Sequence, residues 1–186
     1  GQGKPLEICP RQLLKKTLKK AASLGYEIKV GVEYEWFNFK ENPQSLSDKK
    51  YTNVQPLTPG MFGYSLLRAA YSQGYFKELM DELNAFRIPL EGLHTETGPG
   101  VFEAAILASD ALEAADRGVL FKTAVKEIGY KHGIIPSFMA KWNARLPGCS
   151  GHLHQSLWTQ SENLFYDPKN PHKISSTFQH YLAGQI

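Results

Sequence analysis

The sequence predicts an α+β fold: a curved, mostly antiparallel sheet with helices packed on one side. Three observations carry this. Tyr26 to Phe39 (YEIKVGVEYEWFNF) is dense in β-branched and aromatic residues and reads as one long strand. Ile88 to Leu107 reads as two strands around Thr97-Gly98-Pro99-Gly100, a hairpin-like turn that makes neighbouring strands antiparallel. Asp110 to His132 has a long helical pattern ended by Gly133, and it follows these strands instead of alternating with them one for one, so a regular βαβ sheet is not expected.

The remaining elements follow in chain order. Leu13, Leu14, Thr17, Leu18, Ala21 and Leu24 recur at helical spacing between Pro10 and Gly25, a start and a stop signal. Residues 40–60 are polar and contain Pro43, Pro56 and Pro59, which predicts a long loop. Ser65 to Phe86 reads as helix in two pieces, split near Gly74. Ile134 to Lys141 and Gly151 to Trp158 are further strands. Asn163 to Pro171 is a turn-rich connection, and Ser175 to Leu182 begins a last helix. No internal repeat or low-complexity segment interrupts the pattern.

Length and composition bound the function. The 186 residues, 42% of them hydrophobic, are enough to bury a core as one domain and argue against disorder. The longest aliphatic run, Ala104 to Ala108, is far shorter than the ~20 residues a membrane-spanning helix needs. Gly1 to Pro10 has no apolar signal-peptide core, and Cys9 and Cys149 stand too far apart in sequence to suggest a disulfide framework. The expectation is a reducing, cytoplasmic setting with no membrane partner. The net charge of +3 is unevenly spread: residues 1–50 hold ten basic and six acidic groups, 51–116 three and nine, 117–186 eight and three. An acidic middle suits a cation, not a phosphate backbone. The densest basic run, Lys15, Lys16, Lys19 and Lys20, has helical spacing and reads as a solvated helix face, so no nucleic-acid partner is expected.

Three segments carry chemistry. Side chains alternate along a strand, so Glu33 and Glu35 share one face while Val32, Tyr34 and Trp36 share the other. Two like charges side by side persist where a cation neutralises them or where the face is solvated. His152, His154 and Ser156 repeat that geometry, and His-x-His on a strand suits ligation of a divalent ion or contact with a phosphate. Gly148 and Gly151 just before it let backbone approach a ligand closely. The third segment holds Glu91, His94, Glu96 and, across the Gly-Pro-Gly turn, Glu103, which lies in an otherwise apolar strand where a carboxylate needs an ion pair or a metal. Oxygen-rich sets with few nitrogens favour Mg²⁺ or Mn²⁺ over zinc. Two such metals side by side suggest phosphoryl transfer. Neither a P-loop, nor a Rossmann turn, nor a nucleophile elbow is present.

The order of these motifs resembles the catalytic region of type I glutamine synthetase. Pro10-Arg11 with Leu14-Lys15 is similar to the family's entry helix, and Gly31-Val32-Glu33-Tyr34-Glu35-Trp36-Phe37 to its Glu-x-Glu strand. His94-Thr95-Glu96-Thr97-Gly98-Pro99-Gly100 followed by Glu103 resembles its metal turn. Ala114-Ala115-Asp116 and Phe121-Lys122 match the following helix. Ser137-Phe138-Met139-Ala140-Lys141, Gly148 and His152-Leu153-His154-Gln155-Ser156-Leu157 resemble its Phe-Met-x-Lys and His-x-His segments. The resemblance implies that Glu35, Glu96 and Glu103 hold one divalent metal and Glu33 and His152 a second, with Glu96 also catalytic. It further implies that Glu91, His154 and Ser156 contact ATP and that Gly148 lies in the loop that meets glutamate. The implied activity is an ATP-dependent carboxylate–amine ligase, acting through a γ-glutamyl phosphate attacked by ammonia or an amine, in a homo-oligomer. Pro147, Cys149-Ser150-Gly151 and Val101 depart from the family pattern, so the metal and ATP faces are kept better than the amino-acid pocket. That favours a relative acting on another amine or acid. The alternative is a non-catalytic relative used for assembly, like the lens protein lengsin. The chain stops at Gly184-Gln185-Ile186 directly after a helical pattern. The expectation is therefore that residues 1–186 are a partial catalytic domain, with the family's N-terminal β-grasp domain, later arginines and last Glu ligand lying outside it.

Overall fold

The computed structural model describes Gly3 and residues 5–186. The helices are α1 (Pro10–Ser23), α2 (Pro43–Asp48), α3 (Leu66–Tyr71), α4 (Gln73–Ala85), α5 (Ala111–Lys131) and α6 (Ser176–Ala183). The strands are β1 (Glu27–Phe39), β2 (Leu90–Thr95), β3 (Val101–Asp110), β4 (Ile135–Ser137), β5 (Gly151–Thr159) and β6 (Glu162–Asn163). The strands form one sheet in the order β2-β3-β1-β5-β6, with β4 paired to β1. The β2–β3, β1–β4 and β5–β6 pairs are antiparallel. The α+β class with a mostly antiparallel sheet is therefore the fold observed.

Two compact units divide the chain. One comprises the described residues up to Gly31, Ala108–Ala115 and His154–Ile186; the other comprises Val32–Leu107 and Asp116–Leu153. In the first unit, α1 starts on Pro10 and ends before Gly25, whose φ of +84° closes the helix in the left-handed region. None of its residues is buried, and Leu13 is 62% exposed. Ser175 caps α6 by accepting a hydrogen bond from the Phe178 N–H, and Phe165 packs edge-on against Phe178.

The second unit owes its core to the alternation of β1 and β3. Trp36 on β1 and Phe102, Ala104 and Ile106 on β3 point to one face, where Tyr75, Phe76, Leu79 and Leu83 of α4 and Phe121, Val125 and Ile128 of α5 cover them. Ala69 of α3 joins the same cluster, so the helices that pack on the sheet here lie on one side. Fully burying side chains of this size contributes about 1.5–3 kcal/mol each. The odd-numbered residues face the other way. Phe37, Phe39 and Val101 form a second, smaller cluster with Trp142, and Glu33, Glu35 and Glu103 continue that face.

Two expectations about local structure are corrected. The 40–60 segment is not all loop: Asn42 accepts from the Ser45 N–H while the Ser45 hydroxyl accepts from the Asn42 N–H, and this capping box with Pro43 at the first turn starts α2. The strand expected over 134–141 is only Ile135–Ser137, paired to Phe37–Phe39 of β1. Pro136 has no N–H to give a further neighbour, and Phe138 leaves the strand to pack on the core. Among the described residues no helix is long and apolar enough to cross a membrane, and Cys9 and Cys149 are free thiols.

Candidate metal centre

The polar end of the odd-numbered sheet face gathers ionisable groups from four segments of the second unit. Glu33 and Glu35 project from β1. Glu103 projects from β3, directly opposite His94 of β2 in the antiparallel register, so both side chains share a face. Glu96 follows β2 in the turn, where its N–H donates to the Val101 carbonyl at 2.8 Å. That turn reverses the chain through Gly98 and Gly100, at φ +139° and +72°, conformations that side chains rarely adopt. His152 opens β5.

The distances bring these groups together. His152 Nδ1 lies 3.0 Å from Glu33 Oε2 and 3.8 Å from Glu103 Oε1, and His94 Nε2 lies 3.6 Å from Glu103 Oε2. One ligand atom from each of Glu33, Glu103 and His152 falls within 4.8 Å of the others, and the same holds for His94, Glu96 and Glu103. Glu35 is held beside them by Ser150, whose N–H donates to Oε2 at 3.1 Å and whose hydroxyl donates to Oε1 at 2.7 Å. The Ser150 hydroxyl oxygen is also 3.3 Å from His152 Nε2, so one serine links the carboxylate to the imidazole.

The electrostatics mark where positive charge is wanted. Burial raises the carboxyl of Glu103 above the ordinary range; His94 counters this, while the negative charges of Glu35, Glu33 and Glu96 push it further up. Burial would also raise Glu96, but the Thr97 N–H, donating to Oε1 at 2.6 Å, the Thr97 and Tyr64 side chains and the His94 ring bring it below the ordinary range. Glu96 Oε2 is buried, and the Tyr64 hydroxyl stands beside the carboxylate and is itself pushed up by it. A buried carboxylate among like charges, with a second desolvated carboxylate beside it, fits a divalent cation. The donor set, oxygen-rich with imidazole, fits Mg²⁺ or Mn²⁺.

Glu33, Glu35, Glu96, Glu103 and His152 are thus neighbours, as the strand periodicity predicts. Glu91 is exposed, at the irregularity between Leu90 and Gly92 where the β2–β3 register shifts. Gly148 lies just before β5, and a Cβ there would stand 2.6 Å from the Ala140 carbonyl, so this glycine answers a close backbone approach. His154 and Ser156 lie on β5 in the other compact unit, where the Ser156 hydroxyl accepts from Trp158 Nε1 at 2.8 Å. Three residues outside the expected ligand set also belong to the site. His94 is flagged by its place two residues before Glu96. Ser150 has the same two-residue offset from His152. Tyr64, stacked on the His94 ring with centroids 4.6 Å apart, comes from a loop without periodicity and leaves no signal.

Comparison with known proteins bears on this site. The profile of the glutamine synthetase catalytic domain matches residues 7–186. Type-1 glutamine synthetase 2 of Dictyostelium discoideum is 50% identical over 186 residues, 99% of this chain and 36% of the relative. The glutamate–isopropylamine ligase of a Pseudomonas species is 35% identical over 185 residues, 99% of this chain and 40% of the relative. Among solved structures, apo GmaS superposes with a TM-score of 0.84 at 30% identity, over 98% of this chain and 42% of that one. The chain spans about two-fifths of the length of these relatives.

Proposed function

Because this chain belongs to the glutamine synthetase catalytic-domain family, we propose that it supplies the metal- and ATP-facing part of a ligase. The reaction joins the γ-carboxylate of glutamate, or a similar acid, to ammonia or an amine at the expense of ATP. The observation that carries this reading is the meeting of Glu33, Glu35, Glu103 and His152 on one sheet face with Glu96 from the adjoining turn, Glu103 being in electrostatic contact with the other three carboxylates. Glu35, Glu96 and Glu103 would hold one Mg²⁺ or Mn²⁺, and Glu33 and His152 a second. Bound there, the cations would neutralise charge on the phosphoryl group in transfer.

In this chemistry a γ-carboxylate oxygen attacks the terminal phosphorus of ATP, ADP leaves, and a γ-glutamyl phosphate forms. The amine nitrogen then attacks the acyl carbon, phosphate departs with the C–O bonding pair, and the nitrogen loses a proton. Glu96 is the catalytic residue proposed for this chain: its carboxylate, held below the ordinary range by the Thr97 N–H and the Thr97 and Tyr64 side chains, would hold the ion on which the phosphoryl transfer depends. Ser150 holds Glu35 in place, and Glu91, His154 and Ser156 are assigned to ATP and Gly148 to the acid. The relatives include a glutamine synthetase and a glutamate–isopropylamine ligase, so the acid is better bounded than the amine.

The 186 residues are proposed to be a partial catalytic domain of a longer, cytoplasmic, homo-oligomeric enzyme. The test is an ADP-release assay with glutamate and a panel of amines, run on this chain and on the longer protein. The expected result is weak Mn²⁺ or Mg²⁺-ATP binding and no turnover by the chain alone, with turnover by the longer protein. Glu96→Gln should abolish that turnover without lowering the melting temperature. Turnover by the 186 residues alone would overturn the partial-domain reading. Silence of the folded longer protein with every acid and amine would favour the lengsin-like role.

A further inference from the structure

We infer that Asn38 is a positioning residue for the metal centre: buried on the opposite face of β1, it clamps the Gly98–Gly100 turn and so fixes how Glu96 and Glu103 are spaced. The inference rests on the metal reading above and extends it to a side chain that touches no proposed ligand. Asn38 is fully buried in a face otherwise made of Trp36, Phe102 and their neighbours, where an apolar residue would pack without cost. Its amide is used from both ends. Oδ1 accepts from Trp36 Nε1 at 2.9 Å and from the Tyr75 hydroxyl at 3.1 Å, while Nδ2 donates to the Gly100 carbonyl at 3.2 Å.

The backbone completes the grip. The Asn38 N–H donates to the same Gly100 carbonyl at 2.8 Å, and the Asn38 carbonyl accepts from the Leu57 N–H at 2.8 Å. On the other side of the turn, the Gly100 N–H donates to Thr58 Oγ1 at 3.2 Å, and Thr58 is itself buried. The approach is so close that a Cβ on Gly100 would stand 2.4 Å from the Asn38 carbonyl oxygen. Gly100 is therefore fixed at both its N–H and its C=O. Glu96 lies four residues before it and Glu103 three after, so the placement of Gly100 sets the distance across which those two carboxylates share an ion. Tyr75 comes from α4, so the clamp also ties the turn to the helical layer.

A residue that merely stabilised the fold would leave metal affinity untouched well below the melting temperature; a positioning residue would not. The experiment compares the parent chain with Asn38→Leu, branched like Asn but unable to hydrogen-bond. Mn²⁺ is titrated by electron paramagnetic resonance. Amide hydrogen exchange is followed in parallel over residues 94–103 and over the 121–131 part of α5. The expected result is Mn²⁺ affinity about 10–100-fold weaker, the range for outer partners of a metal site. Exchange over 94–103 should be at least about tenfold faster, with α5 still protected. A folded variant with parental Mn²⁺ affinity overturns the inference, whatever its exchange over 94–103. If Asn38→Leu does not fold, Thr58→Val, which removes only the acceptor of the Gly100 N–H, is judged by the same two measurements. A parent chain that binds no Mn²⁺ would sink the metal reading alone; hydrogen exchange over 94–103 in the metal-free proteins would then decide the clamp.

Discussion

Glu103 separates a metal ligand from a structural ion pair by the sign of one substitution, Glu103→Gln. Glu33 and Glu96 each place an oxygen within 4.8 Å of a Glu103 oxygen. At that separation each like-charge pair costs about 1–3 kcal/mol for effective dielectric constants between water and a protein surface. His94 and His152, at 3.6 and 3.8 Å, offset part of this. Gln keeps the side-chain shape and removes the charge, so the metal-free variant should gain about 1–2 kcal/mol. For a chain of this size that raises the melting temperature by about 2–8 °C. Mn²⁺ should do the reverse. At about a hundred times its dissociation constant it should stabilise the parent by about 2.7 kcal/mol, and the variant by much less. The assay is calorimetry of both proteins in chelator and in Mn²⁺. If Glu103 were instead the partner of His94 in a structural ion pair, the variant would melt lower than the parent in chelator, and Mn²⁺ would shift neither. That pattern refutes the reasoning.

Further outcomes follow from particular contacts. Because the folded pKa of Glu103 is raised, its charge destabilises the metal-free protein at neutral pH. The advantage of Glu103→Gln over the parent should therefore be full above the raised value and vanish as pH falls to the ordinary carboxylate range, checked by melting from pH 8 to 4. Glu41 has the opposite sign. Lys49, 2.5 Å away, together with the Ser45 hydroxyl and the Gln55 N–H, lowers its carboxyl to about 2. Its stability contribution is present above the ordinary carboxylate value and lost as pH falls toward about 2. Lys49→Met should cost about 1–2 kcal/mol at pH 7, discounted because the Lys49 side chain is 41% exposed, and almost nothing at pH 2 by denaturant titration. Gly129→Ala should destabilise by about 1–3 kcal/mol in the same titration, because the new Cβ would stand 2.3 Å from Pro136 Cγ, a ring that cannot swing away.

What was legible in the sequence is what strand periodicity encodes. Glu33 and Glu35 had to share a face, and Trp36 had to lie on the other. Glu103 in an apolar strand announced a partner. The hairpin-like turn at Thr97–Gly100 put it across from the segment of Glu91, His94 and Glu96, and the structure adds the register that sets it opposite His94. Periodicity is silent where backbone is irregular, which is why Tyr64, reached through a loop at φ +53°, gave no sign of standing beside Glu96. The start of α2 was encoded, in Asn42, Pro43 and Ser45, but three prolines in the surrounding stretch outweighed a capping box one turn long. In α1 the apolar stripe spelled an amphipathic helix, yet spacing alone cannot say what a stripe packs against, and Leu13 is exposed. Asn38 was hidden for a further reason. A polar residue inside an aromatic strand reads as noise until Gly100, sixty-two residues away, is seen to receive its amide.

The face of β1 behind the carboxylates holds the strand against their mutual repulsion. Tyr34, Trp36 and Asn38 anchor the strand from behind, with Trp36 and Phe102 edge to face at 6.0 Å and Tyr34 stacked on Phe121 at 5.7 Å. Aromatic pairs of this kind add about 0.5–1.5 kcal/mol each beyond the area they bury. Two such pairs together are of the same size as the net repulsion of about 1–2 kcal/mol about Glu103, so the sheet does not have to open to relieve it. It follows that the site is preformed. Adding or removing a divalent ion should change the charge state of Glu103 and the freedom of the 96–100 turn, while leaving the Trp36 cluster, Phe102 included, as it is. Near-ultraviolet circular dichroism from Trp36 should therefore be indifferent to Mn²⁺ even as the melting temperature moves. A large change in that signal on adding Mn²⁺ would mean that the ion organises the core, and that the carboxylate face is not held from behind in the way the packing implies.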